Sequence, residues 1–403
     1  MNKLILLIQS AIPVLLLFSC SIPAVVTTAN NSKIMVPDIK GITVVAGESV
    51  IIPQVDEVKT AVAYRFRDGR IALGTRKNSM WSTDNGKSWQ PGPETKIGKN
   101  VLDLGNGETI AFDFNTYLRS DGKFDGSLLR STDNWNTVVS EGIIVDIPSA
   151  SFTVTGSGSR RNGFMFHHGS LKLSNGDLLA TMYGNYNGDT ELCAGYPPEL
   201  GQRKYRTILV RSYDGGQTWG EPVHIAYNKM LGRGIPDDHD MLDKSIPANR
   251  HSKLAVVPAV TMEGFRESDL VQAANGDLVC IMRSGGRNIE LTAPHFPTPL
   301  YCSISKDEGR SWSVPKQVAD RGISPNLLTM SNGIIVCTYN RPGNWLIFSD
   351  DNGHSWTGAF QFGDSGATSY VEEVGPNMIQ VYHEGGDGEP PDLWASYFIV
   401  KPS

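Results

Sequence analysis

A short turn motif recurs through the chain and constrains the fold more than any other feature. The octet Ser-Thr-Asp-Asn-Gly-Lys-Ser-Trp at Ser82–Trp89 returns in related form at Ser212–Trp219, Ser305–Trp312 and Ser349–Trp356, and a degraded copy begins at Ser131. Within each octet, Asp can accept a hydrogen bond from the backbone two residues on, Gly supplies a positive φ, and Trp can pack back on a sheet. The repeat therefore indicates one β-sheet unit, closed by the same turn each time.

Tight-hairpin signals between short apolar runs form a second periodic feature. They stand at Asp68-Gly69, Asn106-Gly107, Asn175-Gly176, Asn275-Gly276 and Asn332-Gly333, with a weaker one at Gly375-Pro376-Asn377. One octet follows each of the first five, so the unit is a four-stranded antiparallel sheet. Six such units predict an all-β, six-bladed β-propeller. The last unit has no octet, and we expect its outer strand to come from the N-terminal region after residue 33.

The octet matches the Asp-box (BNR) repeat, and the arrangement of repeats resembles the sialidase superfamily of six-bladed propellers. This resemblance extends over residues 45–400. It implies a propeller that acts on sugars. The octets themselves lie away from the chemistry in that family, so the activity has to be argued from other residues.

The first twenty residues predict export. Lys3 supplies one positive charge, a mostly apolar stretch follows, and small Ser19 precedes Cys20. This pattern resembles a bacterial lipoprotein signal in which Cys20 is lipidated; an ordinary secretory signal cut a few residues later is the alternative. We expect residues 21–44 to form a linker, residues 45–403 to form the propeller, and the protein to be lipid-anchored in the bacterial cell envelope, at the outer membrane or in the periplasm, or otherwise secreted.

Composition narrows the partners. A net charge of −6 without a long basic run argues against nucleic acid. Apart from Cys20, the cysteines are widely spaced and lack metal-ligand spacing, so we expect no cofactor and no metal. Cys280 and Cys337 lie in apolar runs typical of core strands, whereas Cys193 and Cys302 could pair without any feature that demands it. We expect a monomer whose membrane contact is through the lipid anchor only, and the acidic loop around His239 is interpreted as solvated.

The hairpins also predict which face of the fold carries the site. Because both hairpins of a unit lie on one face, the opposite face carries the start of each first strand and the end of each second strand. The octet aspartates are separated by 49, 81, 93 and 44 residues, and the extra length falls between units 2 and 3, at 184–205 and at 220–265. Long loops on one rim of a rigid scaffold commonly carry function. Cations, carboxylates and aromatic residues on this rim favour an anionic, hydroxyl-rich ligand.

Two parts of the sialidase site find a match by spacing. Sialidases that resemble this chain use three arginines to clamp the substrate carboxylate, a Tyr nucleophile assisted by a Glu, and an Asp acid/base. Glu267 stands nine residues before Gly276 and Arg283 seven after it, as in the family, and Arg341 lies near the place of the third arginine. An ion pair that braces unit 4 would also explain Glu267 and Arg283.

Other parts of the family pattern differ. Lys59 stands where the family has its first arginine, and Lys gives charge without the bidentate fork. The place of the family Tyr falls at residues 366–367; Tyr370 lies three positions on, where strand alternation predicts that it points to the other face. No residue matches the acid/base Asp.

Paired histidines offer a second chemistry. His167 and His168 begin the first strand of unit 3, and either imidazole could act as general acid or base near neutral pH. Adjacent residues on a strand point to opposite sides, so we expect only one of them to face the pocket. Some propellers that cleave uronic-acid polysaccharides by β-elimination, and some that remove terminal rhamnose, are similar in using His with Arg and Tyr.

The leading hypothesis is an exo-acting glycosidase for an anionic sugar, either sialic acid or a uronic acid. Its candidate catalytic residues are Glu267, His167, His168 and Tyr370. Its candidate substrate-binding residues are Arg283, Arg341, Lys59, Arg76, Asp269 and Tyr183. A propeller-type polysaccharide lyase or rhamnosidase and a non-catalytic glycan-binding propeller are the two alternatives.

Overall fold

The computed structural model describes residues 29–30, 34–52, 62–74, 79–92, 101–193, 201, 203–228, 263–284, 299–341, 343–364, 368–385 and 392–403. The elements in these ranges are strands, which confirms the all-β prediction. Within the same ranges, no helix has the length and apolarity needed to cross a membrane.

Strands β1 to β28 are numbered in chain order. The first fourteen are Ala29–Asn30, Ile42–Ile52, Val62–Arg65, Ile71–Gly74, Ser79–Ser82, Gln90–Pro91, Val101–Gly105, Glu108–Phe112, Tyr117–Leu118, Phe124–Ser131, Val139–Val145, Phe152–Val154, Arg160–Asn162 and Met165–Lys172. The next fourteen are Leu178–Gly184, Arg206–Ser212, Thr218–Ala226, Arg266–Gln272, Leu278–Arg283, Leu300–Ser305, Lys316–Ala319, Ile323–Thr329, Ile335–Asn340, Asn344–Ser349, Thr357–Gly363, Tyr370–Gly375, Met378–Gly385 and Asp392–Pro402.

These strands form six antiparallel units that follow the predicted hairpins. Unit 1 is β3–β6, unit 3 is β14–β17, unit 4 is β18–β21 and unit 5 is β22–β25, while unit 2 contains β7, β8, β10 and β11. Unit 6 consists of β26, β27 and β28, and β2 is its outer strand. The β2–β28 register runs from Ile42↔Pro402 to Ile52↔Leu393, so the predicted contribution of the N-terminal region to the last unit is confirmed.

Units 2 and 3 depart from the pattern of separate four-stranded sheets. They form one hydrogen-bonded sheet because β11 pairs in parallel with β17, through Ile144↔Thr218 and Val145↔Trp219. The extra strands β9, β12 and β13 extend its edge. Strands β12 and β13 lie in the long connection between units 2 and 3. They provide hydrogen-bond partners for backbone groups at the sheet edge that would otherwise remain unpaired.

The four complete octets form the same hydrogen-bonded turn, as the copy at Ser349–Trp356 illustrates. Asp351 Oδ1 accepts hydrogen bonds from the Ser355 backbone N–H and from Ser349 Oγ, both at 2.8 Å, and its Oδ2 accepts one from Ser355 Oγ at 2.6 Å. Trp356 Nε1 donates to the Gly353 carbonyl at 3.1 Å. The Asp therefore reaches four residues along the chain rather than the predicted two, because the positive φ at Gly353 folds the turn back on itself.

The faces of the units are buried against neighbouring units. Five clusters of buried hydrophobic side chains lie between consecutive units, and a sixth lies between unit 6 and unit 1. In that sixth cluster the indole of Trp89, from the first octet, meets the ring of Tyr382 edge-on at 5.8 Å. Burial of apolar surface, at roughly 25 cal/mol per Å², thus links the units in chain order and the last unit to the first.

The four cysteines that the structure describes are buried and free. Cys280 and Cys337 lie in the core strands β19 and β23, as predicted. Cys193 and Cys302 do not form a disulfide. These cysteines therefore stabilise the fold through packing in the core and not through disulfide bonds.

The octet geometry predicts a local stability contribution that depends on pH. Burial acts to raise the pKa of Asp351, but hydrogen bonds from Ser355 and Ser349 outweigh it and hold the pKa below its ordinary value of 3.8. Replacing Asp351 with Ala removes three accepted hydrogen bonds, so we expect the free energy of unfolding at pH 7 to fall by about 1–3 kcal/mol. A carboxyl group with a lowered pKa stabilises the fold above its unfolded-state pKa, so the difference from wild type should narrow as the pH falls below that value.

Urea unfolding of both proteins at pH 7 and at lower pH measures this effect. Asp350→Ala is the matched control, because Asp350 is the adjacent carboxylate and is exposed. Equal losses of stability in the two variants would contradict the structural role assigned to the octet Asp.

Candidate functional site at the first-strand rim

Two β-bulges bring side chains together where first strands begin. The register of β18 on β19 shifts between Arg266 and Asp269, and that of β22 on β23 shifts between Ile323 and Asn326. Glu267 and Ser324 occupy the bulges, each with φ +46°. Ser324 Oγ lies 3.4 Å from Glu267 Oε2. Positive φ at a residue other than Gly is strained, and such strain is concentrated at functional sites in proteins.

Arginines and glutamates form an ion-pair network around this bulge. Arg283 Nη1 lies 2.8 Å from Glu267 Oε2, and Arg283 Nη2 lies 3.7 Å from Glu263 Oε2. Arg266 Nη2 contacts Glu263 Oε2 at 2.5 Å. Glu263 is only 2% exposed and was not predicted from the sequence. It contacts both guanidinium groups, so the network holds them in place before any ligand binds.

Arg341 completes the charged cluster from unit 5. It is exposed and adopts φ +62° in the turn between β23 and β24, where its N–H donates to the Gly343 carbonyl at 2.9 Å. Burial raises the pKa of Glu267, and nearby Arg266 and Arg341 oppose that shift. Three arginines and two glutamates leave one surplus positive charge in the cluster. Of the residues singled out from the sequence, Arg283 thus contacts Glu267 directly, and Arg341 acts on Glu267 through its charge.

The two histidines face the same way. Their rings stack with centroids 4.1 Å apart and an interplanar angle of 21°. Strand alternation would point the two rings to opposite sides, but the register of β14 on β15 shifts between Phe166 and Ser170, and the rings lie side by side. His167 Nδ1 lies 3.1 Å from the Ser268 carbonyl. Since a carbonyl only accepts, Nδ1 carries the proton in the neutral ring and Nε2 is the basic nitrogen.

Tyr370 joins the histidines from unit 6. Its hydroxyl lies 3.3 Å from His168 Nε2, a contact between residues 202 positions apart in the chain. Strand alternation predicts that Tyr370 points to the other face from the position of the family Tyr, and its hydroxyl nevertheless reaches His168. Burial raises the pKa of this phenol, with a further contribution from Asp269. Tyr370 is therefore a neutral hydroxyl that can donate a hydrogen bond to His168.

Tyrosine rings connect the histidines to the charged cluster. Tyr183 meets His167 edge-on at 5.6 Å and Tyr205 edge-on at 5.5 Å. The Arg266 guanidinium lies 5.6 Å from the centre of the Tyr205 ring. Burial, followed by the nearby charge of Glu267, raises the pKa of Tyr183. The predicted binding residue Tyr183 is thus adjacent to both parts of the site.

Asp269 has a different environment from the other candidates. Its Oδ1 accepts a hydrogen bond from the Leu270 N–H at 2.8 Å, and its Oδ2 accepts from the Leu327 N–H at 2.7 Å and from Asn326 Nδ2 at 3.0 Å. These bonds join unit 4 to unit 5. Both oxygens are thus engaged by the protein, and the placement is that of a bracing carboxylate rather than a ligand contact.

Arg321 is a further basic residue on this side of unit 5. It is 5% exposed, and the described part of the chain gives its Nε and Nη1 no hydrogen-bond partner. Burial lowers its pKa, and the nearby Asp320 opposes this shift. Arg321 lies just before β22, and its burial has no signature in the sequence.

Several predictions lie outside the described residues: the substrate contacts of Lys59 and Arg76, the lipidation of Cys20, and the acidic loop around His239. Among the residues that are described, no group of three or more His, Cys, Asp or Glu is arranged to hold a metal ion.

Comparison with known proteins supports the fold class. The model of the BNR/Asp-box repeat matches residues 80–91, which include the first octet. None of the curated proteins matches the sequence.

Solved structures resemble this fold at low sequence identity. A protein of unknown function from Dyadobacter fermentans is 16% identical with a TM-score of 0.61, and the match covers 90% of this chain and 100% of that one. The α-L-arabinofuranosidase of Fusarium graminearum, in complex with an iminosugar inhibitor, is 12% identical with a TM-score of 0.54, covering 87% and 97%. A Hadza microbial sialidase is 12% identical with a TM-score of 0.51, covering 85% and 65%. At these identities the likeness establishes the fold alone.

The buried position of Asp269 predicts that its contribution to folding stability falls as the pH rises, whereas that of the octet Asp351 grows. Burial raises its pKa from 3.8 to about 6, although Leu327, Leu270 and Asn326 donate hydrogen bonds to it. The folded state then binds a proton more tightly than the unfolded state, so the contribution of Asp269 to stability falls as the pH rises between these two values. Asp269→Asn removes this pH dependence of stability. It should also lower the free energy of unfolding by about 1–3 kcal/mol, because an amide N–H replaces a carboxylate oxygen that accepts hydrogen bonds from N–H groups.

Urea unfolding from pH 4 to pH 7 tests this prediction. We expect wild type to lose stability relative to Asp269→Asn as the pH rises. The exposed Asp350→Asn serves as the control, and parallel pH curves for wild type and Asp269→Asn would rule out the assignment.

Proposed function

We propose that the six units form a six-bladed β-propeller and that the chain is an exported glycoside hydrolase acting on an anionic sugar, either sialic acid or a uronic acid. The cluster of Glu263, Arg266, Glu267, Arg283 and Arg341, with its one surplus positive charge, carries the proposal. The six inter-unit cores support the ring, and resemblance to glycosidase structures supports sugar as the substrate class.

The surplus charge favours one negative group on the substrate. Arg283 shares its charge with two glutamates, and the exposed Arg341 brings a further guanidinium whose fork suits a carboxylate. Arg321, two of whose nitrogens have no hydrogen-bond partner among the described residues, adds a second donor on the same side of unit 5. A sugar carboxylate held by Arg341 would lie beside Glu267 and bring the anomeric carbon towards the catalytic candidates.

The residues at the site can carry both proton transfers of hydrolysis. As a carboxylate, Glu267 accepts a proton from an attacking water while the water oxygen bonds to the anomeric carbon. The bond from this carbon to the leaving oxygen breaks, and the leaving oxygen receives a proton from a protonated imidazole; the candidate is Nε2 of His167, whose Nδ1 faces the Ser268 carbonyl. The Tyr370 hydroxyl holds His168 through the 3.3 Å contact, and His168 holds His167 through the ring stack.

A uronate-specific lyase is the second candidate, and the contact between His168 and Tyr370 favours it. In that reaction an imidazole of the histidine pair accepts the C5 proton, the bond from C4 to the leaving oxygen breaks, and Tyr370 can protonate that oxygen. The product has a new C4–C5 double bond, which absorbs in the ultraviolet. A non-catalytic propeller would bind glycans and release nothing.

The first twenty residues support a proposal for the cellular location. We propose that Cys20 is lipidated and holds the propeller at the bacterial envelope, where glycans are accessible. Metabolic labelling with a fatty-acid analogue should mark the full chain and should not mark a Cys20→Ala variant, and labelling of both would disprove lipidation at Cys20.

An activity screen over aryl sialosides, aryl uronosides and uronic-acid polysaccharides tests the proposed function. We expect release of the aryl group from one anionic glycoside without a rise in ultraviolet absorbance. Glu267→Gln should lower kcat by about 10²–10⁴-fold, since it keeps the shape but cannot accept the proton. Arg341→Gln should raise KM about 10–100-fold, which corresponds to the loss of one charge-assisted hydrogen bond.

Glu308→Gln is the matched control. Glu308 is an exposed octet residue whose backbone carbonyl, rather than its side chain, accepts a hydrogen bond from Arg211. It should keep wild-type kinetics. An ultraviolet-absorbing product would assign the lyase instead, and retarded migration in glycan-containing gels without any product would assign the binding protein.

A further inference from the structure

A second concave site lies beside the charged cluster, within the long connection of unit 3. It is a cavity of about 80 Å³ whose wall includes Asp189, Glu191, Lys204, Arg206, Tyr227 and Asn228. Tyr205 also lines it. None of these side chains takes part in the chemistry proposed above, so the cavity calls for an explanation of its own.

The polar wall of the cavity is already ordered by its own hydrogen bonds. Glu191 Oε1 accepts from Lys204 Nζ at 3.0 Å and from Asn228 Nδ2 at 2.7 Å. Arg206 Nε donates to both oxygens of Asp189, at 3.0 and 2.8 Å. A ligand that enters would therefore meet fixed donors and acceptors, and binding would cost little side-chain entropy.

One acceptor in this wall has no donor among the described residues. The Oδ1 atom of Asn228 is buried, and no group in the described part of the chain donates a hydrogen bond to it. Donation from Nδ2 to Glu191 fixes the orientation of this amide, so the unpaired atom is the oxygen. A buried acceptor without a partner costs about 1–3 kcal/mol, and a hydroxyl group on a ligand could relieve that cost after a small side-chain shift.

The charge of the cavity distinguishes it from the charged cluster. Its two acidic residues, Asp189 and Glu191, balance its two basic residues, Lys204 and Arg206, so the wall is neutral overall. The half-buried rings of Tyr205 and Tyr227 add aromatic surface, and the Arg206 guanidinium lies 4.7 Å from the centre of the Tyr227 ring. Aromatic faces combined with fixed donors and acceptors suit the apolar face and the hydroxyl groups of a neutral sugar.

Tyr205 is a shared wall between the two sites. One side contacts Tyr183 and Arg266 of the candidate site, and the same residue lines the cavity. The Tyr205 N–H also donates to the Glu263 carbonyl at 2.7 Å, which ties this segment to the ion-pair network. A sugar in the cavity would thus be a direct neighbour of a sugar held by the arginines.

We propose that this cavity is a subsite for a neutral sugar unit linked to the anionic sugar. The inference rests on the proposed function, since it takes the charged cluster as the place of the anionic unit. It deepens that function by making the protein selective for oligosaccharides in which an anionic terminal sugar is joined to a neutral one.

Kinetics on a long and a short substrate test the subsite. Sialyllactose and an aryl sialoside share the anionic sugar, but only the first has a neutral disaccharide; the matching uronosyl pair is used if the screen identifies a uronoside. Tyr227→Ala should raise KM for the oligosaccharide about tenfold, a change of about 1.4 kcal/mol, and leave its kcat and the aryl glycoside kinetics unchanged. Asn228→Ala should act in the same direction.

Tyr213→Ala is the matched control, since Tyr213 is an exposed tyrosine next to an octet serine. It should leave both substrates unaffected. If Tyr227→Ala leaves the oligosaccharide KM unchanged, or raises KM equally for both substrates, the subsite is overturned while the proposed function stands.

Direct binding separates this inference from the failure of the proposed function. Calorimetry with lactose and cellobiose on the wild-type chain needs no catalytic activity. Binding that is weakened by Tyr227→Ala but not by Tyr213→Ala supports the subsite even if no glycoside is cleaved. Absence of binding, or equal binding by all three proteins, overturns it.

Discussion

The packing of sheet faces against each other is the constraint on which the rest of the structure depends. The apolar faces of each unit are buried by neighbouring units, and the pairing of β2 with β28 completes the unit that joins the end of the chain to its beginning. No single unit could bury its hydrophobic side chains alone. The site depends on the same packing, because Tyr370 and His168 meet across 202 residues and would separate if unit 6 were displaced.

The candidate site is built from deviations within this regular scaffold. Bulges near the start of three first strands interrupt strand alternation and change the direction of the side chains there. The bulge in β14 affects the histidine pair, that in β18 affects Glu267, and that in β22 affects Ser324. Positive φ at Glu267 and Ser324 costs free energy, which the surrounding sheets must offset. The octets form the turns at one end of these units, and the bulges that position the candidate site lie at the opposite end.

The sequence predicted the features that depend on local chemistry. Octets and hairpins are encoded within eight residues or fewer, so the turns, the unit boundaries and the strand contributed by the N-terminal region could be inferred. The spacing of Glu267 and Arg283 around Gly276 likewise follows from one hairpin. Features that depend on tertiary structure were missed: Glu263 precedes β18 and has no spacing signal, the burial of Arg321 has no sequence signature, and the bulge in β14 overrides the alternation from which the orientation of His168 was argued.

Electrostatics connects the candidate site to the neighbouring cavity. Buried ion pairs seldom add stability, because the desolvation of each charge offsets the attraction between them. The network of Glu263, Arg266, Glu267 and Arg283 is better understood as a means of fixing guanidinium groups before a ligand arrives. The cavity beyond Tyr205 is fixed in the same manner but is neutral. A positively charged site and a neutral site that share Tyr205 correspond to the two ends of the proposed ligand, a glycan with an acidic terminal sugar.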